Sequence, residues 1–382
     1  MTAGVSSSGE RAAPDDVRGG GGAVVRQAAL AQGSIGFAIT GLGACLVLLA
    51  QDLQVRPEQL AWLPTTFGAG LLAVAPIGPS LLRRGSRPAL VGGALLIAAG
   101  AILLATATTV PVAAAGALLL GVGGAAFVLV TPAMLAGPSA AGRLTTVIGL
   151  SSAASVVAPL AIGGWDTTGI GTGRLALLLV VPPLAMLIAD ACRRPVPLPP
   201  AAGTSPASAV SWPVARRWAV VVLAVSVEFC FTIWGVARLT GAGASTGAAA
   251  LLGTAFPFGM ACGRLAGPWL LSRLPVVVTG ALVTGVSTLA VVVAGSPALV
   301  AAGLAGAGLG VATLYPVTLA RLVATPGLSR AHAASVGAFA SGTAIVAAPA
   351  ALARLADVAD LRLAYLVTLP LLAAMLLLHR RD

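Results

Sequence analysis

The chain contains no lysine: all 22 basic residues among its 382 are arginine. That absence excludes a phosphate-binding loop ending Gly-Lys-Ser/Thr, and with it a Walker-type ATP site within this chain. Charge of either sign is scarce, at 9% of residues, where a soluble domain carries about 25%. So little polar surface excludes a chain that stays dissolved as a monomer. Aromatics make up 4% and there are two histidines. The four cysteines are Cys45, Cys192, Cys230 and Cys262. None is spaced as a metal ligand set, and three lie in apolar runs, which argues against a disulfide framework. A nucleophile, base and orienting group do not occur as a set, so an enzyme is not expected, nor is a cofactor beyond a proton gradient.

What is present is apolar. Hydrophobic residues make up 58% and mean hydropathy is +1.00. They come in runs of about 20, the length that crosses a hydrocarbon core of about 30 Å. The 48 glycines and abundant alanine suit helices that approach backbone to backbone in lipid. We read spans at 29–51, 59–82, 88–107, 111–135, 143–164 and 174–191, then 217–238, 245–271, 275–294, 297–324, 331–353 and 361–379. Short separators carry turn chemistry, such as Gly78-Pro79, Pro111, Gly137-Pro138, Gly295-Ser296-Pro297 and Pro326-Gly327, so consecutive helices are antiparallel neighbours. Pro132, Pro159, Pro316 and Pro349 fall inside spans and predict kinks. Residues 1–25 lack a signal-peptide core and read as a disordered tail. The Pro/Ala/Ser-rich stretch 193–216 reads as a linker between a six-helix bundle at 26–192 and another at 217–379, with 380–382 as a short tail.

The net charge of +11 does not point to nucleic acid, because the arginines are dispersed between apolar runs. They follow the positive-inside rule instead. With the N-terminus inside, 17 arginines fall on the cytoplasmic side; Arg56, Arg174, Arg238, Arg354 and Arg362 fall outside. One missed helix would scramble that alternation. The expectation is an all-α, multi-pass protein of the cell membrane with twelve transmembrane helices and both termini cytoplasmic. Trp62 and Trp165 at external ends, and Trp212, Trp218 and Trp269 at cytoplasmic ends, fit an interfacial belt.

The two halves echo each other. Gly78-Pro79-Ser80-Leu81-Leu82-Arg83-Arg84 recurs as Gly267-Pro268-Trp269-Leu270-Leu271-Ser272-Arg273, 189 residues on. Gly121 and Gly123 before Pro132 match Gly308 and Gly310 before Pro316, and Ala158-Pro159 matches Ala348-Pro349. Such duplication places a solute site between the halves. On this plan the chain resembles the major facilitator superfamily over about residues 26–380. The most specific match is the loop after the second helix, where Gly78, Arg83, Gly85 and Arg87 fit the family signature. Leu82 stands where that family has Asp. The resemblance implies a cytoplasmic gating loop in which Gly78 allows close helix approach and the arginines meet a partner helix end or carboxylate. Positive-inside bias alone also accounts for these arginines. Subfamily signatures are weak: Ala117 replaces the fourth-helix Arg of drug antiporters, and the sugar-porter sequence Pro-Glu-Ser-Pro-Arg is absent. The runs 259–264 and 309–316 look mildly like the fucose-permease branch.

Glu228 is the sharpest chemical signal. It lies 11 residues from Arg217 and 10 from Arg238, about 16 Å from either end and so near mid-membrane. A carboxylate there costs roughly 2.5–3.5 kcal/mol on insertion scales, so it faces the bundle interior or water. Either it handles a proton or solute, or it is a neutral acid hydrogen-bonded within the bundle. Thr232 is one turn on, and Gln32, Gly36, Thr40 and Gly43 form a stripe on the first helix. The resemblance implies that helices 1, 4, 7 and 10 line the cavity. Glu228, Thr232, Thr40, Thr131, Tyr315 and Gln32 are then the candidates, against ordinary interhelical hydrogen bonding of about 0.6 kcal/mol each. Arg264 reads as a structural charge snorkelling from the end of the eighth helix, Asp190 as a boundary charge beside Arg193 and Arg194, and Ser151, Ser152 and Ser155 as small packing residues. The reading that results is a monomeric secondary transporter for a small neutral or amphipathic organic solute, driven without an ATPase partner. Efflux and sugar-type uptake both remain open, as does a transport-dead relative acting as a sensor.

Overall fold

The computed structural model describes residues 15–380 except 56, 61, 136–139, 199–210, 272, 327 and 329. No strand occurs among the described residues. The chain runs through α1 (Asp15–Asp52), α2 (Leu63–Val74, a 3-10 turn Ala75–Ile77, then Gly78–Arg83), α3 (Ser86–Thr106), α4 (Val110–Met134), α5 (Ala140–Thr167) and α6 (Gly173–Arg193). It continues through α7 (Trp212–Gly241), α8 (Thr246–Gly253 and Ala255–Leu271), α9 (Val276–Val293), α10 (Pro297–Val311 and Leu314–Val323), α11 (Arg330–Ala359) and α12 (Leu361–His379). Eleven of these are long and apolar enough to cross a membrane, and Leu63–Ile77 is a shorter apolar helix. Together with Gly78–Arg83 it completes the twelfth crossing.

One boundary differs from expectation, and the interior prolines act unequally. α1 begins at Asp15, so residues 15–25 extend the first helix instead of forming a tail; 1–14 lie outside the described residues, as does the linker from 199 to 210. α4, α5 and α11 continue through Pro132, Pro159 and Pro349. α10 is interrupted at Ala312 and Thr313. The physical reason is that a proline clashes with the carbonyl four residues before it, which for Pro316 is Ala312. The Gly137-Pro138 turn lies outside the described residues.

The duplication is visible in how the helices touch. A methyl group on Gly121 would lie 2.0 Å from the Phe67 carbonyl oxygen, and one on Gly308 would lie 2.1 Å from that of Phe256. Thus α4 rests on α2 as α10 rests on α8. A methyl on Gly123 would lie 2.6 Å from the Gly93 carbonyl oxygen and one on Gly310 would lie 2.8 Å from that of Gly280, so α4–α3 and α10–α9 are also equivalent contacts. In lipid there is no hydrophobic drive between helices, and such backbone-level fit supplies the dispersion that holds them.

A second equivalence was not foreseen. Arg174, at the start of α6, donates to the carbonyls of Leu104 and Ala107, both at 3.1 Å, and pairs with Asp52 at 2.7 Å. Arg362, at the start of α12, donates to the Val292 carbonyl, and Arg238 donates to Val291 and Ala294 at 3.1 and 2.6 Å. These carbonyls close the ends of α3 and α9, where a helix leaves its last acceptors open. Arg174, Arg238 and Arg362 are therefore helix caps rather than loop charges. At the opposite face, Arg26 and Gln27 of α1 both reach Asp190 of α6, Gln27 at 3.0 Å. Asp190, read as a boundary charge beside its own arginines, instead ties the first helix to the sixth.

The halves meet along three seams at the face away from the termini. Gly43 of α1 lies against the Thr232 carbonyl of α7, Gly163 of α5 against Leu251 and Gly247 of α8, and Gly68 of α2 against Val346 of α11. Trp62 and Trp165 are half-exposed near this face, while Trp212 and Trp269 are exposed near the other. Trp218 stacks on Phe339 at 5.9 Å.

Candidate functional site

Glu228 is on α7, 11 residues from Arg217 and 13 from Gly241. Its helix is apolar around it, so the carboxylate has few polar choices. It meets Arg264 of α8, Nη2 to Oε1 at 3.7 Å, with the two side chains 14% and 16% exposed. Arg264 was placed at the helix end in error. α8 runs on through Leu271, and Arg273 is the charge that marks that end. Arg264 stands nine residues before Arg273, which lifts it about 13 Å into the membrane.

Arg264 also reaches across to the other half. Its Nη1 donates to Ser152 Oγ of α5 at 3.1 Å. Ser152 is thus more than a packing residue; Ser151 holds α5 to α1 by donating to the Gln32 carbonyl at 2.9 Å, while Ser155 donates to the Ser151 carbonyl of its own helix at 2.9 Å. Arg264 Nε is buried and has no hydrogen-bond partner. A guanidinium offers five N–H donors; here one makes a good hydrogen bond and a second makes a loose ion pair.

α10 completes the group. Gly263 lets α8 approach α10, since a methyl there would lie 2.5 Å from the Ala312 side chain. The interruption at Ala312 and Thr313 follows, and just beyond it Tyr315 interacts with Ser341 of α11, within electrostatic range of both Glu228 and Arg264. Tyr315 thus stands near both Glu228 and Arg264, the arginine read from sequence as a structural charge at the helix end.

Thr40 and Thr232 come together elsewhere, in a crevice between the halves one turn further along α7. Pro159, Phe231, Gly235, Phe256 and Pro257 line it with them. Phe231 and Phe256 stack with centroids 5.7 Å apart. The threonine hydroxyls are spent on their own helices, Thr40 on the Gly36 carbonyl and Thr232 on that of Glu228, both at 2.9 Å. The crevice therefore offers no free hydroxyl donor, and it holds about one water molecule. Gln32 Nε2 stands 3.5 Å from the Phe127 carbonyl. Thr131, one turn on from Phe127, is buried with its Oγ1 unpartnered. No contact joins Gln32 or Thr131 to Glu228 among the described residues.

The expected gating loop begins as helix: Gly78, in the last segment of α2, faces Ser335 of α11 and Leu129 of α4. Gly85 has φ +91°, a conformation that glycine adopts without strain. Arg83 donates to Ser80 of the same helical segment at 2.9 Å. Neither Arg83 nor Arg87 pairs with a carboxylate among the described residues.

No protein-family model matches the chain, and no curated protein matches it in sequence. Solved structures do match. The peptide transporter POT superposes with a TM-score of 0.72 at 16% identity, over 94% of this chain and 94% of its own. The nucleoside transporter NupG gives 0.73 at 12% identity, over 94% and 99%. FucP, a Major Facilitator Superfamily transporter in the outward conformation, gives 0.58 at 19% identity, over 92% and 98%. The chain is a multi-pass membrane protein with the major facilitator fold.

Proposed function

We propose that this chain is a secondary active transporter that moves a small amphipathic organic solute by alternating access. Two six-helix halves, 26–192 and 217–379, rock about a site near mid-membrane, joined by the linker 193–216. The observation that carries this reading is the Glu228–Arg264–Ser152 chain. It lies near mid-membrane and crosses from one half to the other, and Arg264 keeps a buried donor unsatisfied. A purely structural ion pair in lipid needs every donor met. An exchangeable partner explains the donor left open. Glu228 can accept a proton when its arginine turns to solute, which couples transport to a proton gradient.

The arrangement within the cell follows from charge. Both termini are cytoplasmic, in the plasma membrane, because the face that carries them holds most of the arginines. The loop with Gly78, Arg83, Gly85 and Arg87 acts as the cytoplasmic gate against α11, and Thr40, Thr232 and Tyr315 line the path with Gln32 and Thr131. The chain works as a monomer without an ATPase. Neighbouring folds carry peptides and nucleosides by their descriptions, and those solutes set no expectation for this site. The sensor alternative rests on Leu82 in place of the gate carboxylate.

The test compares small molecules inside and outside cells that express the wild type, Glu228→Gln or nothing. A compound whose distribution depends on the intact protein gives the solute and its direction. Flux that persists in Glu228→Gln with unchanged pH dependence overturns the role of Glu228. No flux in reconstituted vesicles for any compound favours the sensor.

A further inference from the structure

We infer that the transported solute is a small organic monoanion, with its anionic group on Arg264 and its apolar body against Phe231 and Phe256. This rests on the transport reading above and narrows its solute. Arg264 is the guanidinium that meets Glu228 near mid-membrane, and it is under-used. Its ion pair with Glu228 is 3.7 Å long, beyond hydrogen-bond distance, and its Nε is buried without an acceptor. A planar carboxylate can take two guanidinium N–H groups side by side, which Glu228 does not do here. Serine 152 and the Tyr315–Ser341 pair add neutral hydroxyls around the same head group.

The rest of the space sets the remainder of the molecule. Phe256 and Pro257 precede Arg264 on the same helix by eight and seven residues, about 10–12 Å along it. Phe231 and Thr232 lie one turn from Glu228 on α7. The crevice they form with Pro159 offers rings and methylenes but no free donor. Its narrowness means that the body enters when the halves part. One cation against one carboxylate leaves a net charge of zero, so an entering monoanion is balanced when Glu228 is protonated. A dianion would be left with an unmatched charge, which burial penalises. The anion and the proton therefore travel together.

The test uses the purified full-length protein and thermal stabilisation by matched probes: octanoate, phenylacetate and indole-3-acetate, each beside its primary amide. At least one carboxylate stabilises the wild type at a concentration about tenfold below that of its amide, because one charge-assisted contact is worth that factor or more. Arg264→Gln removes the discrimination, and Arg264→Lys retains part of it. Glu228→Gln, which removes the competing carboxylate, lowers the carboxylate concentration needed. The double variant Glu228→Gln/Arg264→Gln has no buried charge left unmatched, so it folds, and it loses the discrimination too. Equal response to acids and amides, carboxylate binding undiminished in Arg264→Gln, or no response to any acid each overturns the monoanion assignment. Alternating access is read separately in the same purified protein, from the change in distance between spin labels at the far ends of α1 and α7 as the pH is lowered without any probe. Movement there with no carboxylate response leaves the transport reading standing and sinks only the anion.

Discussion

Glu228 and Arg264 form a pair in which each residue makes the other tolerable. Removing Arg264 alone leaves a carboxylate with no counter-charge, and such losses cost about 3 kcal/mol or more. Arg264→Ala therefore lowers the unfolding temperature of the purified protein clearly, while Glu228→Gln/Arg264→Gln lowers it far less. Equal losses in the two would show that the pair is not coupled. Arg174 is buried and holds two carbonyls and Asp52. Arg174→Gln costs about 2 kcal/mol, read in the same unfolding experiment, with α3 the first helix to lose protection in hydrogen exchange. The sequence shows Glu228 at once, because a lone acid in an apolar run has no other explanation. It hides Arg264, because an arginine nine residues from the next one looks like the end of its helix. The missing signal was Arg273, which already marks that end. Gln32 and Thr131 enter the candidate set through the resemblance, and no hydrogen bond ties either to Glu228 among the described residues; a threonine satisfied or orphaned within its own bundle reads the same in sequence.

Helices are placed here by what they lack at the point of contact. A side chain at Gly121 or Gly308 meets a carbonyl oxygen at about 2 Å, far inside the closest approach of real atoms. Gly121→Val and Gly308→Val each abolish folded protein, judged by a monodisperse peak on size exclusion in detergent. Gly92 of the same bundle has nothing within 4 Å of its would-be methyl, so Gly92→Ala folds normally and gains about 0.8–1 kcal/mol of helix propensity. Folded protein from both valine variants would refute the seams. The spans and their number are legible because hydropathy reports the bilayer directly. The breaks are less so. Pro316 lies inside its run, but the interruption falls at Ala312 and Thr313, since proline disturbs the preceding turn. α8 is interrupted at Thr254 in the same way, in the turn that precedes Pro257.

The whole molecule is one unit used twice. Gly121 with Gly308, Phe67 with Phe256 and Arg174 with Arg362 hold equivalent places 187 to 189 residues apart. Part of that repeat is legible as glycine and proline spacing. The arginine caps are not, because an Arg at a helix start reads as topology rather than as a bond to a neighbouring helix. The arrangement of the chain across the bilayer has a direct check. Cys192 is exposed beside Arg193, Cys45 and Cys230 are buried, and Cys262, exposed within α8, is first replaced by serine. A membrane-impermeant maleimide will therefore modify Cys192 in inverted vesicles and leave it untouched in intact cells. Modification in intact cells reverses the proposed orientation.

The three seams that close the face away from the termini are made where Gly43 and Gly163 meet backbone, and where Gly68 meets the Val346 backbone and the methyl groups of Ile345 and Val346. A glycine brings no rotamer of its own to such a contact, whereas each long side chain caught in one costs up to about 2 kcal/mol of lost freedom. A face of this kind works like a plain bearing rather than a latch. Parting it releases little side-chain disorder and closing it demands little, so the two positions stay near balance. The choice between them then passes to whatever enters the gap, water on one stroke and cargo on the next.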